Sequence, residues 1–558
     1  FMRQNAGLCH LTATIMPTAK RLLLFVLPLL VAVIALSAYA LLRGLHPDPF
    51  KGTVRAQALD LAHPDALIRS YSLSRLPPDL LKVPLARDVL TEDFVDYYEH
   101  HENRLALSGT VRRIAFEHKL DFPEKLIESV FDEPAELALW RDASGRLKYF
   151  AIALTRNALA RAIQLALPTL TDAQLSSAGR LAGTEVELLV LEYGHQRLLL
   201  ANRGNRVVAL SDPGMLIATT VDENGEAASP EQSADAVKVI IELLDGENGV
   251  SPFARHFQLT QPLPGKTHQL LIGASVFAFG YEAFTPALAA LDFTFDDTGK
   301  WQSAALVDKA RFAHSSALWS TLPHGPSLCA ALPVDWTLFS PLLSKLDMQS
   351  EVADAFTARL DGSAAVCWYP NARLYMPLFA ARLKAPADEA QAREFFALAE
   401  KTIRAEGEST PFDPQTASGQ WRGEQESPYG SGNGERSLKP ALAVARDMVL
   451  FSPETALVSR ALEVGAKRYP AVADNFTATG SADADVLAII DPAALAGLLQ
   501  QETFAALPRR EEELFRNAAE TYLGPRFDVL ARYPAQRISI SVAHSGSWHM
   551  LNWDTLQR

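Results

Sequence analysis

Residues 22–42 form an uncharged, apolar run bounded by Lys20 and Arg21 on one side and Arg43 on the other. At about 1.5 Å of rise per residue the run makes roughly 32 Å of helix, the thickness of one bilayer core. It predicts one N-terminal transmembrane anchor with Lys20, Arg21 and Arg43 as its flanks, and a large body that does not re-enter the membrane. Ala38-Tyr39-Ala40 also fits a signal-peptidase site, so a cleaved leader is the competing reading; the length of the run favours the anchor. Basic residues nearly balance across the run, with Arg43, Lys51 and Arg55 following it. A short tail ahead of a long domain favours the tail inside the cell, which in a Gram-negative bacterium puts the body in the periplasm, held on the inner membrane. Met16 stands just before the run and reads as a start, so residues 1–15 of the 1–21 tail are expected not to be native, and Cys9 drops out of the argument.

A body of some 500 residues exceeds one ordinary core and predicts two or three domains. With 48% apolar and 21% charged residues it is ordinary globular material. A net charge of −13 argues against nucleic acid as a partner, because phosphates require clustered Lys and Arg. It argues equally against a broad basic face on anionic lipid.

A long-period internal repeat organises the rest. Glu136-Leu137-Ala138-Leu139-Trp140 followed by Gly145-Arg146-Leu147 matches Ala364-Ala365-Val366-Cys367-Trp368 followed by Ala372-Arg373-Leu374, and each unit leads toward an amphipathic helix, over 157–167 and 388–404. Arg206-Val207-Val208-Ala209-Leu210 with Ser211-Asp212-Pro213 matches Arg446-Asp447-Met448-Val449-Leu450 with Phe451-Ser452-Pro453, a strand running into a helix-starting turn. Leu291 to Phe295 with Gly299 and Trp301 matches Ile538 to Val542 with Gly546 and Trp548, two alternating strands about a glycine turn. The expected fold is therefore α+β: two related lobes, 70–312 and 323–558, each a mainly antiparallel sheet with packed helices. Residues 43–69 read as a linker, 89–131 as a helical insertion in the first lobe, and 405–437, rich in Gly, Ser, Pro, Glu and Gln, as a flexible loop.

Cys329 and Cys367 lie in apolar, strand-like runs. An oxidising compartment would join them if the two strands are neighbours; buried free thiols are the alternative. Two thiols alone make no metal site.

None of the recognisable chemical motifs is complete. After His101-Glu102 the second His of a zinc-protease motif is replaced by Leu105, so Glu99-His100-His101-Glu102 with Asp93, Asp96 and His118 reads as a charged helix face. Gly265-Lys266-Thr267 lacks the leading glycine of a phosphate loop, and Gly430-Ser431-Gly432-Asn433-Gly434 follows no strand. No catalytic, cofactor-binding or metal-ligating residue is assigned, and no cofactor is expected. Tyr97, Tyr98 and Trp421 are candidate partner contacts, since aromatic residues are common at interfaces.

Leu90-Thr91-Glu92-Asp93-Phe94-Val95-Asp96-Tyr97-Tyr98, Gly109-Thr110-Val111-Arg112-Arg113 and Phe279-Gly280-Tyr281 resemble the bacterial YfaA-like (MagB-like) family of unassigned activity, over about residue 60 to the end. The resemblance implies a partner: members are typically encoded beside a bacterial α2-macroglobulin, a protease-trapping envelope protein, and its companions. The functional expectation is a non-catalytic, inner-membrane-anchored periplasmic scaffold or adaptor for that protein. The alternatives are an envelope hydrolase or peptidoglycan-modifying enzyme, and a periplasmic chaperone or regulator of the partner.

Overall fold

The computed structural model describes residues 59–556, apart from 87–132, 156–173, 218–230, 278–284, 340–349, 427–436, 477–483, 506–519 and several shorter segments. The anchor run 22–42 and the insertion 89–131 thus lie outside the described residues. No helix among the described residues is long and apolar enough to cross a membrane.

The described chain is mainly antiparallel sheet with helices packed against it. Ten strands occupy its first half: β1 (Ala66–Ser70), β2 (Ala135–Arg141), β3 (Leu147–Thr155), β4 (Gln174–Arg180), β5 (Glu187–Tyr193), β6 (Gln196–Arg203), β7 (Arg206–Leu210), β8 (Thr267–Gly273), β9 (Leu288–Asp296) and β10 (Trp301–Val307). They pair in the order β4-β5-β6-β7-β3-β2-β1-β8-β9-β10, every pair antiparallel. The second half supplies β11 (Leu328–Pro333), β12 (Leu360–Trp368), β13 (Leu378–Leu383), β14 (Glu406–Asp413), β15 (Ser418–Glu426), the two-residue β16 (Ser437–Leu438), β17 (Ala441–Ala445), β18 (Met448–Ser452), β19 (Asp485–Ile490), β20 (Gln536–Ile540) and β21 (Trp548–Thr555). Their order is β14-β15-β17-β18-β13-β12-β11-β19-β20-β21. With the small β16 set aside, the two halves are wired alike, strand for strand, and the sequence matches fall on equivalent strands: β2 with β12, β7 with β18, β9 with β20.

The halves meet through β21. Trp548, His549 and Met550 pair with Leu306, Ala305 and Ala304 of β10, while Leu551 to Thr555 pair with Ile540 to Gln536 of β20. Leu288, Ala305 and Val307 of the first half pack with Leu487 and Ile540 of the second at this seam. Trp548 also sends its Nε1–H to the carbonyl of Phe257 at 2.7 Å, anchoring the last strand in the first half.

Each half buries apolar side chains on both faces of its sheet, as the period-2 alternation of strands requires. In the first half, helix α1 (Leu76–Leu80) packs on one face with Ile68, Leu137 and Phe295. Helix α2 (Ala234–Asp245) covers the other with Val237, Ile240, Leu243 and Leu244, above Leu67, Ala138 and Leu271. Ser233 caps its start and Gly246, at φ 58°, takes the left-handed conformation that ends it. In the second half, helix α3 (Glu389–Ile403) lies on one face with Phe395, Phe396 and Trp421, and helix α4 (Thr455–Gly465) on the other with Leu457, Val458 and Ala461. Helix α4 follows β18 as α2 follows β7.

Three boundaries differ from the sequence expectation. Residues 66–69, the end of the span read as linker, belong to the buried strand β1 (Ala66–Ser70), paired on both sides. Residues 313–322, placed between lobes, belong to the second: Trp319 and Ser315 both donate to the carbonyl of Val486, and Leu318, Trp319 and Leu322 enter the second core. Within 405–437, residues 406–413 and 418–426 pair as strands β14 and β15 rather than forming a loop, while 427–436 lie outside the described residues. Composition misled here because these are polar strands near the edge, where one face and one hydrogen-bonding rim meet water. The outer strands β4 and β14 each carry a register slip, between Ser177 and Gly179 and between Thr410 and Asp413, and β14 contains Pro411.

Cys329 and Cys367 stand directly opposite each other across β11 and β12, disulfide-bonded, with Cα atoms 4.0 Å apart and no solvent exposure. A sequence separation of 38 residues corresponds to a stabilisation on the order of 3 to 4 kcal/mol in the chain-entropy treatment. Protein isolated without reductant should yield the linked peptide in non-reducing mapping, and reductant should lower the urea midpoint of the second half; two alkylatable thiols would contradict the bond.

Candidate functional site

Two polar constellations lie back to back in the first sheet, and strand alternation separates them. On the α2 face, Arg69 is only 3% exposed and is held by its neighbours in register: Nε donates to Glu136 Oε1 at 3.0 Å and Nη1 to Gln269 Oε1 at 3.0 Å. Gln269 Nε2 passes the chain on to Asp292 Oδ2 at 3.0 Å, and Thr294 donates to Asp292 Oδ1. Burial pushes the Asp292 carboxyl above its usual pKa, against those two hydrogen bonds. The result is a polar rung across β2, β1, β8 and β9 inside an otherwise apolar layer.

Beside this rung is a cavity of about 380 Å³. Its floor includes Arg69, Glu136 and Ala153; its walls come from Arg206, the end of α2 at Glu242 and Asp245, and the turn at Gly249, Val250 and Ser251. Arg206 reaches the α2 C-terminus, donating to Leu243 O at 3.2 Å. Gly246, at φ 58°, takes a left-handed backbone that favours glycine, and a Cβ there would displace the Arg206 guanidinium, whose Nη1 lies 1.7 Å from its position.

On the opposite face, Ser70, His268 and Asp79 touch in series. Ser70 Oγ lies 2.8 Å from His268 Nδ1, and His268 Nε2 lies 3.2 Å from Asp79 Oδ2. Asp79 also accepts from Tyr71 Oη at 2.8 Å and from Lys82 Nζ at 2.7 Å. Burial raises the Asp79 carboxyl, but hydrogen bonds from Lys82, Tyr71 and His268 outweigh it and hold the group below its ordinary pKa. Burial and the bond to Asp79 push the Tyr71 phenol up to about 12. Desolvation holds His268 below its usual value in spite of Asp79, so the imidazole is neutral at pH 7. It donates from Nε2 to Asp79 and accepts the Ser70 hydroxyl at Nδ1, while Ser70 Oγ accepts from Ser72 N–H at 3.1 Å.

These are the residue types of a hydrolase triad, but the geometry closes them to substrate. Ser70, His268 and Asp79 are 1%, 0% and 0% exposed. Ser70 borders the cavity only from the far side of β1, with its hydroxyl turned toward His268. The arrangement ties α1 to β1 and β8 through fully satisfied buried groups.

The sequence candidates are scattered. Lys20, Arg21, Arg43, Tyr97 and Tyr98 lie outside the described residues, as do Glu99, His100, His101 and His118. Trp421, read as a contact on a mobile loop, is 1% exposed and packs with Phe395 and Phe396. A Cβ on Gly407 would come 2.3 Å from Trp421 Nε1, so β14 lies directly against the indole. Gly265, at φ 48°, only makes the turn into β8. Among the described residues no group of three or more His, Cys, Asp or Glu is arranged to hold a metal ion. Arg69, Glu136, Ser70, His268 and Asp79 are not among the site residues read from the sequence. Their partners are separated by 67 to 200 residues in the pairs that link strands, so no local spacing could reveal them.

As pH falls, the unfolded imidazole takes up a proton before the folded His268, whose pKa lies below 6.5. Its contribution is therefore complete above about pH 6.5 and is lost as pH falls toward the folded pKa. Urea denaturation at pH 7.5, 6 and 5 should show falling stability across that window, and a flatter dependence in His268→Gln.

A bacterial family described as an uncharacterized protein conserved in bacteria (DUF2138) matches residues 20–553. The chain is 30% identical over 532 residues to a protein of Escherichia coli (strain K12) described as uncharacterized protein YfaA, which covers 89% of this chain and 91% of that one. No solved structure matches. On these two matches the chain belongs to the DUF2138 family, a YfaA-like family of unassigned activity.

Proposed function

We propose that the protein is a non-catalytic scaffold anchored in the bacterial inner membrane, its two related lobes displayed in the periplasm to bind an α2-macroglobulin-like protease trap and that protein's companions. The observation that carries this reading is the repeated strand order: two lobes wired alike and stitched by one shared strand offer equivalent surfaces in a fixed relation, as an assembly platform needs. The apolar run 22–42 supports the anchor, and a buried Cys329–Cys367 bond fits maturation in an oxidising compartment. The nature of the partner rests on the family resemblance read from the sequence.

A hydrolase is the reading that Ser70, His268 and Asp79 invite. The closed hydroxyl weighs against it: a nucleophile must reach its substrate within a few ångströms, and here every polar atom of the series is spent on a neighbour.

Affinity purification from crosslinked envelopes should recover the trap protein, whereas recovery of no specific protein from intact and crosslinked cells would overturn the scaffold. In a deletion strain the trap should keep its abundance and lose its association; a fall in abundance would indicate a chaperone instead. A fluorophosphonate probe should leave Ser70 unlabelled in the folded protein, and labelling abolished by Ser70→Ala would revive the hydrolase.

A further inference from the structure

We propose that a second copy of this chain docks on an open apolar row that crosses the second sheet, forming a two-fold dimer. The inference goes beyond the scaffold reading and does not depend on it.

Register sets the row. Trp301 of β10 meets Trp553 of β21 edge to face, with ring centres 5.6 Å apart. Trp553 pairs with Ile538 of β20, and one alanine on β19 and another on β11 carry the line to Val366 of β12. Val366 pairs with Phe379 of β13, and Phe379 stacks on Phe451 of β18. Each of these strands thus gives one uncharged apolar side chain to the same face, and every one of them is at least partly exposed; Phe379 is 44% exposed and Trp553 41%. The alternate residues of the same strands, such as Cys367, Leu378 and Leu450, are buried in the core that holds α4. An antiparallel sheet with one face in water ordinarily turns polar side chains to that face. In the first half the equivalent face is closed by α1, and Ile68 of β1, Leu137 of β2, Ile152 of β3 and Val207 of β7 are at most 8% exposed.

Size, charge and hydrogen bonding together select a second copy as the occupant. The row is about 34 Å long at the usual strand spacing, and Leu328, Trp368 and Ile490 extend it sideways on the same face. A flat footprint of about 500 Å² results, most of the roughly 800 Å² that each partner gives to a standard interface. The chain carries a net charge of −13, so two copies repel wherever charged surfaces meet, and this row has no ionisable side chain. A strongly basic or acidic partner would find nothing here to pair with. Trp553 Nε1 donates to Ser303 Oγ at 2.8 Å and Trp368 Nε1 to the carbonyl of Leu374 at 2.7 Å, so burying these indoles orphans neither donor. A second copy offers the matching apolar sheet, and two such faces pack about 10 Å apart. The same patch on both partners makes a contact that closes on itself.

Photo-crosslinking in the membranes of cells that make two differently tagged copies of the full chain tests the occupant directly. Benzoylphenylalanine in place of Phe379 should give an adduct of twice the chain's mass that carries both tags. The same group in place of Met550, 48% exposed on the opposite face of β21, should give none. In sedimentation of the detergent-purified protein, Phe379→Glu and Trp553→Glu should each raise the dimer dissociation constant at least tenfold without lowering the melting temperature, and Met550→Glu should leave it unaltered. An adduct from position 379 to another protein or to lipid, no adduct at all, or a dimer that survives both row variants overturns the proposal.

Discussion

The short stretch of backbone pairing between Ala304–Leu306 and Trp548–Met550 is the contact on which the arrangement of the two halves depends. Each half ends its own ladder with a strand whose outer edge would otherwise be bare, and bare edges invite pairing with whatever chain is near. By offering one part of β21 to β10 and the rest to β20, the chain satisfies both edges at once. The apolar seam of Leu288, Ala305, Val307, Leu487 and Ile540 then removes water from the join, and Trp548 adds a directional bond to Phe257. A small number of backbone hydrogen bonds thereby fixes the relation between two large bodies, because hydrophobic burial excludes the solvent that would compete for them.

The polar groups inside the first half follow a different logic. Arg69 with Glu136 and Gln269, and Asp79 with His268, Tyr71 and Lys82, sit where apolar side chains would pack more cheaply. Each set is specific in register: Arg69 meets Gln269 only if β1 and β8 pair as they do, and a slip of one residue would carry Arg69 to the opposite face. Between strands that are otherwise runs of Leu, Ile and Ala, such groups penalise misaligned pairing more strongly than they stabilise the native one. In a ladder of many similar antiparallel strands that discrimination has evident use.

How much of this could be read from the chain differs by scale. The repeat was legible because β2 and β12, β7 and β18, and β9 and β20 keep their apolar alternation and their turn residues, which are local properties. The antiparallel character follows from the same local signals, whereas the cysteines come opposite each other only once β11 and β12 are paired, which spacing alone does not reveal. The strand order was not legible, since it depends on which edges meet across hundreds of residues; nor was β1, a five-residue strand lying before a long insertion. Trp421 was misread because its neighbours are Gly, Gln, Arg and Glu, yet β15 exposes Arg422 and Glu424 and sends the indole into the core beside Phe395 and Phe396. The buried polar sets were invisible for the reason that strand order was: Arg69, Glu136 and Gln269 become neighbours only after three distant strands have paired.

The irregular outer strands carry a consequence for the behaviour of many copies together. The two halves share one wiring, so among the described residues β4 and β14 are the equivalent outer strands, and a copy that laid its β4 along the β14 of the next would generate a head-to-tail contact that never closes. The slip at Ser177 and Gly179 bends one end, and the slip at Thr410 and Asp413, with Pro411 contributing no amide hydrogen, interrupts the other. A molecule built almost wholly from ladder hydrogen bonds is thereby kept from becoming the monomer of a filament.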